Sequence, residues 1–300
     1  MSNYIYYNFD TISDSNFKIK NIYYAKELYK FIILDEKSKY SLIEYDFSFD
    51  IYSKISPYIT IFDISNLTDK NKLHEFLNSK IYIPLTITFQ NKHKYNEASK
   101  IYDCNFFIKP NNGSCGKDIK IVKNPLKLFN NKNTSNNFIA QKEIIPKLYK
   151  ERKWDLRIFV IHEIYQKEIN TYLYNDGIVR LAPEKYNCKN KERSLITNIS
   201  KLNCFDNYNK LNFKFSHFVK YKYYLKKIGN ILNDINNEIK SKLKFIFNDK
   251  YEFQLFGYDF VISENDMVYL IEINGSPAGI NIRNSDEIKE LNHEMYYSIY

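Results

Sequence analysis

Between Glu252 and Ala278 the chain reads EFQLFGYDFVISENDMVYLIEINGSPA, two apolar stretches joined by a short polar turn. Glu252 to Ile262 is aromatic and β-branched. Val268 to Ile273 is nearly continuous apolar sequence, and Ser263–Glu264–Asn265–Asp266 between them has turn chemistry. The pattern predicts a β-hairpin with three polar residues set into apolar strands: Asp259 in the first, Glu272 and Asn274 in the second. A four-residue turn is expected to place Asp259 opposite Leu270, with Glu272 and Asn274 diagonal to it on the same face. Two carboxylates and an amide oxygen gathered this way would repel one another if buried without a cation. An all-oxygen set suits Mg²⁺, which takes one or two carboxylates and completes its shell with phosphates and water. A solvated face with three unrelated polar side chains is the competing reading.

The 300 residues suffice for one large or two to three small domains with a sizeable core. The net charge of +9 favours an acidic partner. That charge is spread along the chain. With no zinc-finger spacing and no helix-turn-helix pattern, nucleic-acid binding is not expected. The four cysteines, Cys104, Cys115, Cys188 and Cys204, form no CxxC pair, which points to reduced thiols in a cytoplasmic setting. No apolar run approaches membrane-spanning length, so no membrane association is expected.

Taken in order, residues 1–79 read as a small α/β unit. Phe31–Leu34 and Tyr58–Phe62 suggest buried strands, and Thr68–Leu77 a helix with Leu73, Phe76 and Leu77 on one face. His74 on that helix is expected at the surface. Ile81–Phe89 and a helix around Asn96–Tyr102 lead to the strand Phe106–Lys109. A loop, Pro110–Asp118, then holds Gly113 and Gly116, two of only seven glycines, before a strand at Ile119–Lys123. Such a loop lets backbone N–H groups close over phosphate oxygens, with Lys109 as a point charge. It is not a Walker loop, and a plain hairpin turn with a surface lysine is the alternative.

Phe138–Lys142 reads as a strand and Lys147–Arg152 as a basic turn. In Lys153–Ile161, alternation puts Trp154, Leu156, Ile158 and Val160 on a core face. Lys153, Asp155 and Arg157 form a row on the other, suited to a polyanion or to a self-neutralising exposed face. Ile169–Tyr174, Asn175–Asp176–Gly177 and Ile178–Ala182 read as a hairpin, with Arg180 extending the cationic row. Pro183–Phe215 is polar and irregular. Leu225–Phe247 predicts a long amphipathic helix with Ile228, Leu232, Ile235, Ile239, Leu243 and Ile246 in one stripe. Asn284–Tyr300 is expected to be a closing helix.

The order of these elements, with FQLFGYDF…LIEINGSPA, RKWDLRIFV and YLYNDGIVR as its most specific stretches, resembles the tubulin–tyrosine ligase family over about residues 80–280. The resemblance implies an α/β (α+β) ATP-grasp fold. It divides into an N-terminal domain (1–79), a central domain (80–143) and a C-terminal domain (144–300), with the nucleotide between the last two. FQLFG and EINGSPA look closer to the family's tyrosine-adding members than to its polyglutamylases and polyglycylases. By resemblance, Lys109 and the glycine loop at Gly113 and Gly116 would contact ATP phosphates. Gln141 and Lys142 would lie by the adenine, and Lys153 and Asp155 on the nucleotide and ribose side. Thr197 and Asn198 would border the nucleotide, and Arg157 and Arg180 would face the γ-phosphate and incoming carboxylate. Asp259, Glu272 and Asn274 would bind Mg²⁺. Two departures stand out: Cys115 where the family's loop carries a basic residue, and Leu195 where its Leu-Thr-Asn segment is preceded by His.

The activity so implied is ATP-dependent ligation of an amino acid, tyrosine foremost, to an acidic protein tail such as tubulin's, by a monomeric cytoplasmic enzyme. Addition of Glu or Gly to another acidic protein, or a non-catalytic module that binds acidic tails, are the alternatives.

Overall fold

The computed structural model describes residues 65–77, 80–95, 104–111, 118–129, 137–165, 168–187, 191–197, 211–242, 252–275, 287–288, 290–291 and 294. The expected strands at Phe31–Leu34 and Tyr58–Phe62, the helix at 96–102, the glycine loop at 112–117, Asn198 and residues 243–251 lie outside that set.

Two antiparallel sheets carry the fold, a mixed α/β arrangement. The first is small, with strands β1 (Thr86–Ile87), β2 (Phe106–Pro110), β3 (Lys120–Val122) and β4 (Phe138–Lys142) in the order β1-β4-β2-β3. Alternation splits its residues cleanly. Phe106, Ile108 and Ala140 pack with Leu126 and Phe129 of the short helix α3 (Leu126–Phe129). Phe107, paired with Gln141, and Lys109, paired with Ile139, take the opposite face.

Two short helices precede this sheet, α1 (Ser65–Thr68) and α2 (Lys70–Phe76). Asp69 caps α2, its side chain accepting from the Lys72 amide at 3.0 Å. Leu73, Phe76 and Leu77 are buried as the periodicity predicts, and Leu67 of α1 is buried beside them. His74 is buried with them, only 6% exposed, which corrects its expected surface position. The helical period explains why: residue 74 lies three before Leu77, beside the buried stripe of α2.

The second sheet runs β7-β6-β5-β8-β9. Its members are β5 (Trp154–Tyr165), β6 (Glu168–Leu181), β7 (Asn212–Lys214), β8 (Glu252–Ile262) and β9 (Val268–Asn274). Trp154, Leu156, Ile158 and Val160 of β5 join Tyr258, Phe260 and Ile262 of β8 in one core. Covering them is α5 (Tyr221–Lys242), whose Ile228, Leu232, Ile235 and Ile239 are buried against the sheet. The start at Tyr221 is four residues earlier than expected. Asp266 fastens this layer from the β8–β9 turn. Its carboxylate accepts from Lys147 Nζ at 2.7 Å, Lys220 Nζ at 3.2 Å and Tyr224 Oη at 2.5 Å, and these partners hold it well below the usual carboxylate pKa. Glu287, Ile288, Glu290, Leu291 and Glu294 are helical, and Ile288 and Leu291 pack on Phe159 and Ile178. No helix among the described residues is long and apolar enough to cross a membrane.

Two expectations about turns are corrected. Asn175–Asp176–Gly177 is not a hairpin turn but a bulge inside one continuous strand. Ile158 pairs with Gly177 and Val160 with Leu173, so three residues of β6 oppose Phe159 alone. Tertiary pairing overrides the local turn signal because Asp176 is engaged elsewhere: its carboxylate accepts from the Ser216 amide at 2.8 Å and Ser216 Oγ at 2.7 Å. In the β8–β9 hairpin, Asp259 faces Glu272 directly, not Leu270. Phe260 pairs with Leu270, leaving Ile271 as an extra residue on β9. That bulge brings the two carboxylates onto one rung.

Gly177 sits where no side chain fits, since a Cβ there would lie 2.5 Å from the Arg157 carbonyl oxygen and 2.6 Å from Ile158 Cδ1. Gly177→Ala is therefore expected to lower stability by about 1–3 kcal/mol, read from urea unfolding, because backbone must shift to admit the methyl.

Candidate functional site: a charged cleft between two sheets

The site begins with strand parity. Lys153, just before β5, alternates with Asp155 and Arg157 on the face of β5 turned away from the core, and pairing sets Arg180 of β6 opposite Asp155 and Asp259 of β8 opposite Arg157. Four charged residues thus occupy neighbouring rungs of three strands. Arg180 Nε donates to Asp155 Oδ1 at 2.5 Å, and its Nη2 lies 3.1 Å from Asp259 Oδ2. Arg157 makes a two-pronged pair with Asp259, with Nη2 2.9 Å from Oδ2 and Nε donating to Oδ1. The Thr197 hydroxyl donates to the second oxygen of Asp155.

Across the gap, the first sheet contributes Phe107, Lys109 and Gln141. Lys109 Nζ donates to Gln141 Oε1 at 2.6 Å. Lys153 Nζ stands 4.5 Å above the centre of the Phe107 ring, a cation–π contact linking the sheets. Pro110, Ile119, Ile144, Ile196, Val261 and Ile271 supply apolar wall.

Of the residues expected at a site, nine line this one cleft: Lys109, Gln141, Lys142, Lys153, Asp155, Thr197, Arg180, Asp259 and Glu272. Arg157 stands behind them, against Asp259. Asn274 lies one step further along β9, its amide Nδ2 3.4 Å from Asp259 Oδ2. Gly113, Gly116 and Asn198 fall outside the described residues, as does Cys115. Leu195, at the end of α4 (Lys191–Leu195), is buried in the cleft wall.

Sequence reasoning missed Lys70. The first residue of α2 reaches the cleft, its Nζ 3.6 Å from Glu272 Oε2. It missed His74 too, whose Nε2 lies 3.1 Å from Gln141 Nε2 and 3.4 Å from Thr86 Oγ1. For His74 the helical stripe was a usable signal. For Lys70 no signal exists, because a lysine opening a helix is ordinary surface sequence.

The electrostatics follow from burial. Burial pushes the Lys109 ammonium down to about 8, and Lys70 and Lys153 add to this while Glu272 and Asp259 oppose it. Lys153 is lowered as well, by burial, against the pull of Glu143 and Asp155. For Asp259 burial acts upward, but Arg157 and Arg180 outweigh it and hold the carboxyl well below its usual range. The cleft therefore offers ionised Asp259 beside cations kept short of counter-charge.

Whether a divalent cation suits this site turns on the donors. Asp259 and Glu272 share a rung, and Asn274 follows on the same side of β9. Among the described residues, no three His, Cys, Asp or Glu side chains converge tightly enough to enclose an ion by themselves. The carboxylate oxygens of Asp259 and Glu272 are donors that would suit a hard cation keeping open positions for phosphate oxygens and water, which is the habit of Mg²⁺, while Asn274 turns its amide nitrogen to Asp259.

The architecture is thus a mixed α/β pair of antiparallel sheets enclosing a cleft of alternating cations and carboxylates. The tubulin-tyrosine ligase family model matches residues 56–291, and the chain belongs to that family. The match begins before residue 80, so α1 and α2 are part of the family region. Among similar proteins, a probable alpha-tubulin polyglutamylase of Tetrahymena thermophila is 28% identical over 263 residues, covering 77% of this chain and 62% of that protein. Tubulin glycylase 3F of the same organism is 26% identical over 254 residues, 77% of this chain and 27% of its own length. A probable tubulin polyglutamylase of Mus musculus is 26% identical over 155 residues, 47% of this chain and 33% of its own. The chain spans less than two thirds of the length of each. All three are named for glutamate or glycine addition, which runs against the expected leaning to tyrosine.

A lysine with a depressed pKa leaves a signature in stability. The unfolded lysine titrates near 10.4 and folded Lys109 near 8, so between those values the unfolded chain binds more protons. Stability contributed at this site therefore rises as pH climbs from about 8 to 10. In Lys109→Met that increment, at most about 3 kcal/mol, is expected to vanish. Urea unfolding of both proteins at pH 7, 8.5 and 10 measures it. A wild-type curve parallel to the variant's would contradict the buried ammonium.

Proposed function

We propose that the chain is an ATP-dependent carboxylate–amine ligase that adds glutamate or glycine to an acidic protein tail such as tubulin's. The observation that carries this reading is the facing of buried Lys109, Lys153 and Arg180 toward the Asp259–Glu272 rung in a single cleft. Cations of that density suit a polyphosphate, and a carboxylate pair in the same wall suits its counter-ion.

In this reading Lys109 and Lys153 hold phosphate oxygens, with the glycine loop at Gly113 and Gly116 closing over them. Gln141 and Lys142 border the base. Asp155, tied to Arg180 and Thr197, holds the ribose side, and Asn198 follows Thr197 in the same segment. Asp259, Glu272 and Asn274 hold Mg²⁺, which supplies charge neutralisation at the terminal phosphates when bound. A carboxylate oxygen of the acceptor attacks the γ-phosphorus, the bond to the ADP oxygen breaks, and an acyl-phosphate forms. The amine of the incoming amino acid then attacks the acyl carbon, phosphate leaves, and the amine proton passes to solvent. Arg157 and Arg180 stabilise charge on the transferring group and orient the incoming carboxylate. No side-chain nucleophile is needed, because positioning and charge complementarity carry both steps.

The net charge of +9 supports an acidic acceptor. The names of the similar proteins favour glutamate or glycine over tyrosine. A module that binds acidic tails without turnover would have no use for the carboxylate rung.

The test is a mass-spectrometric ligation assay with tubulin, Mg-ATP and an equimolar mixture of glutamate, glycine and tyrosine. Glutamate or glycine masses on the tail are expected. Tyrosine alone would return the reading to tyrosination, and no added mass with no ADP release would end it. Glu272→Gln is expected to abolish turnover while the thermal midpoint of the protein without nucleotide stays within about 3 °C of wild type. Saturating Mg-ATP, at about 100 times its Kd, should stabilise the wild type by about 2.7 kcal/mol. A module that binds only tails predicts no such gain.

A further inference from the structure

A histidine outside the cleft wall sets the direction of a hydrogen-bond chain that ends inside it. We propose that His74 is a positioning residue that acts through Gln141 on Lys109, fixing the Gln141 amide so that its oxygen, not its nitrogen, meets the ammonium. The inference rests on the nucleotide reading above for its consequence, though not for its geometry.

The argument is one of donors and acceptors. An ammonium only donates, so Lys109 Nζ at 2.6 Å requires the Gln141 oxygen toward it. The Gln141 nitrogen then points the other way, where it meets His74 Nε2 at 3.1 Å. An amide nitrogen only donates, so His74 Nε2 must accept and the ring proton must sit on Nδ1. Thr86 Oγ1 does not compete for that lone pair, since its own proton goes to the Pro84 carbonyl at 2.9 Å. The result is a directed chain, with Lys109 and the Gln141 nitrogen donating at its two ends.

Two further features agree. Thr86 pairs with Gln141 across β1 and β4, so His74 closes on a rung that pairing has already fixed. Burial pushes the imidazole down to about 3, with Lys109 adding to the shift, so the ring stays neutral and able to accept. The Nδ1–H that this tautomer creates is buried without a hydrogen-bond partner, a cost that the Gln141 contact must offset.

Reversing the ring proton would set N–H against N–H₂ and turn the Gln141 amide. Its nitrogen would then confront the ammonium. Helix α2 would thus hold the phosphate-side lysine of the cleft from outside, through one amide.

The experiment uses the full chain labelled with ¹⁵N-histidine. Long-range ¹H–¹⁵N spectra without nucleotide are expected to show the His74 ring neutral and protonated on Nδ1, its signal identified by loss in His74→Gln. A proton on Nε2, or a charged ring near neutral pH, would overturn the proposal whether or not the protein binds ATP. Mg-ATP binding by calorimetry supplies the second reading. His74→Leu is expected to weaken it about tenfold, while His74→Gln, which keeps an acceptor, stays within about threefold of wild type. Equal losses in both variants, or no loss in His74→Leu, would overturn it. Should His74→Leu fail to fold, the tautomer and the His74→Gln affinity decide. Absence of Mg-ATP binding by the wild type would instead fail the nucleotide reading and leave the tautomer to judge the chain.

Discussion

The arginine at position 180 holds the cleft side of the larger sheet together. Its guanidinium joins Asp155 on the neighbouring strand to Asp259 two strands away. Arg157 closes the same group from between them. Buried ions are costly unless paired and hydrogen-bonded, so the four charges stand or fall together. Each carboxylate is held by at least two donors, and the guanidinium planes fix where those carboxylates point. The adjoining Asp259–Glu272 rung inherits that geometry. A site that neutralises a polyanion gains from such rigidity, since its charges need little reorganisation when the ligand arrives.

Lys109 and Lys153 play the opposite part. Burial without a full complement of counter-charge leaves them strained as cations, and burial lowers both. Arg157 and Arg180 are paired with protein carboxylates, whereas these lysines carry less counter-charge. The cleft thus holds its two kinds of cation in different electrostatic settings. This division follows from chemistry: the planar fork of arginine matches a carboxylate, and an ammonium serves as a point charge.

Strand faces were legible in the sequence because alternation is a strict period, and the Lys153, Asp155 and Arg157 row is where that period placed it. The α5 stripe was legible for the same reason. Misreadings occurred where a distant partner overruled a local signal. Asn175–Asp176–Gly177 has turn chemistry, yet Ser216 occupies the aspartate and pairing with β5 keeps the strand running. His74 looked like surface because its neighbour Glu75 is charged, although the helical period put it inside. Lys70 could not be found from local sequence at all, since its proximity to Glu272 depends on how α2 meets β9. The family resemblance located much of the cleft, but pointed to tyrosine where the similar proteins are named for glutamate and glycine.

The extra residue at Ile271 has a bearing on how this hairpin can change. Strand faces alternate every residue, so the bulge acts as a parity switch between the turn and Glu272. Val268 and Leu270 point into the core before it, and Glu272 points into the cleft after it. A single insertion or deletion in β9 would exchange those faces, burying a carboxylate among Tyr258 and Phe260 and turning isoleucine outward. Length variation in this hairpin is therefore confined to steps of two residues, or to the loop at 263–267, where Asp266 already ties the turn to α5. Among descendants of this sequence, the spacing between Val268 and Glu272 should be held more tightly than the identity of the residues it contains.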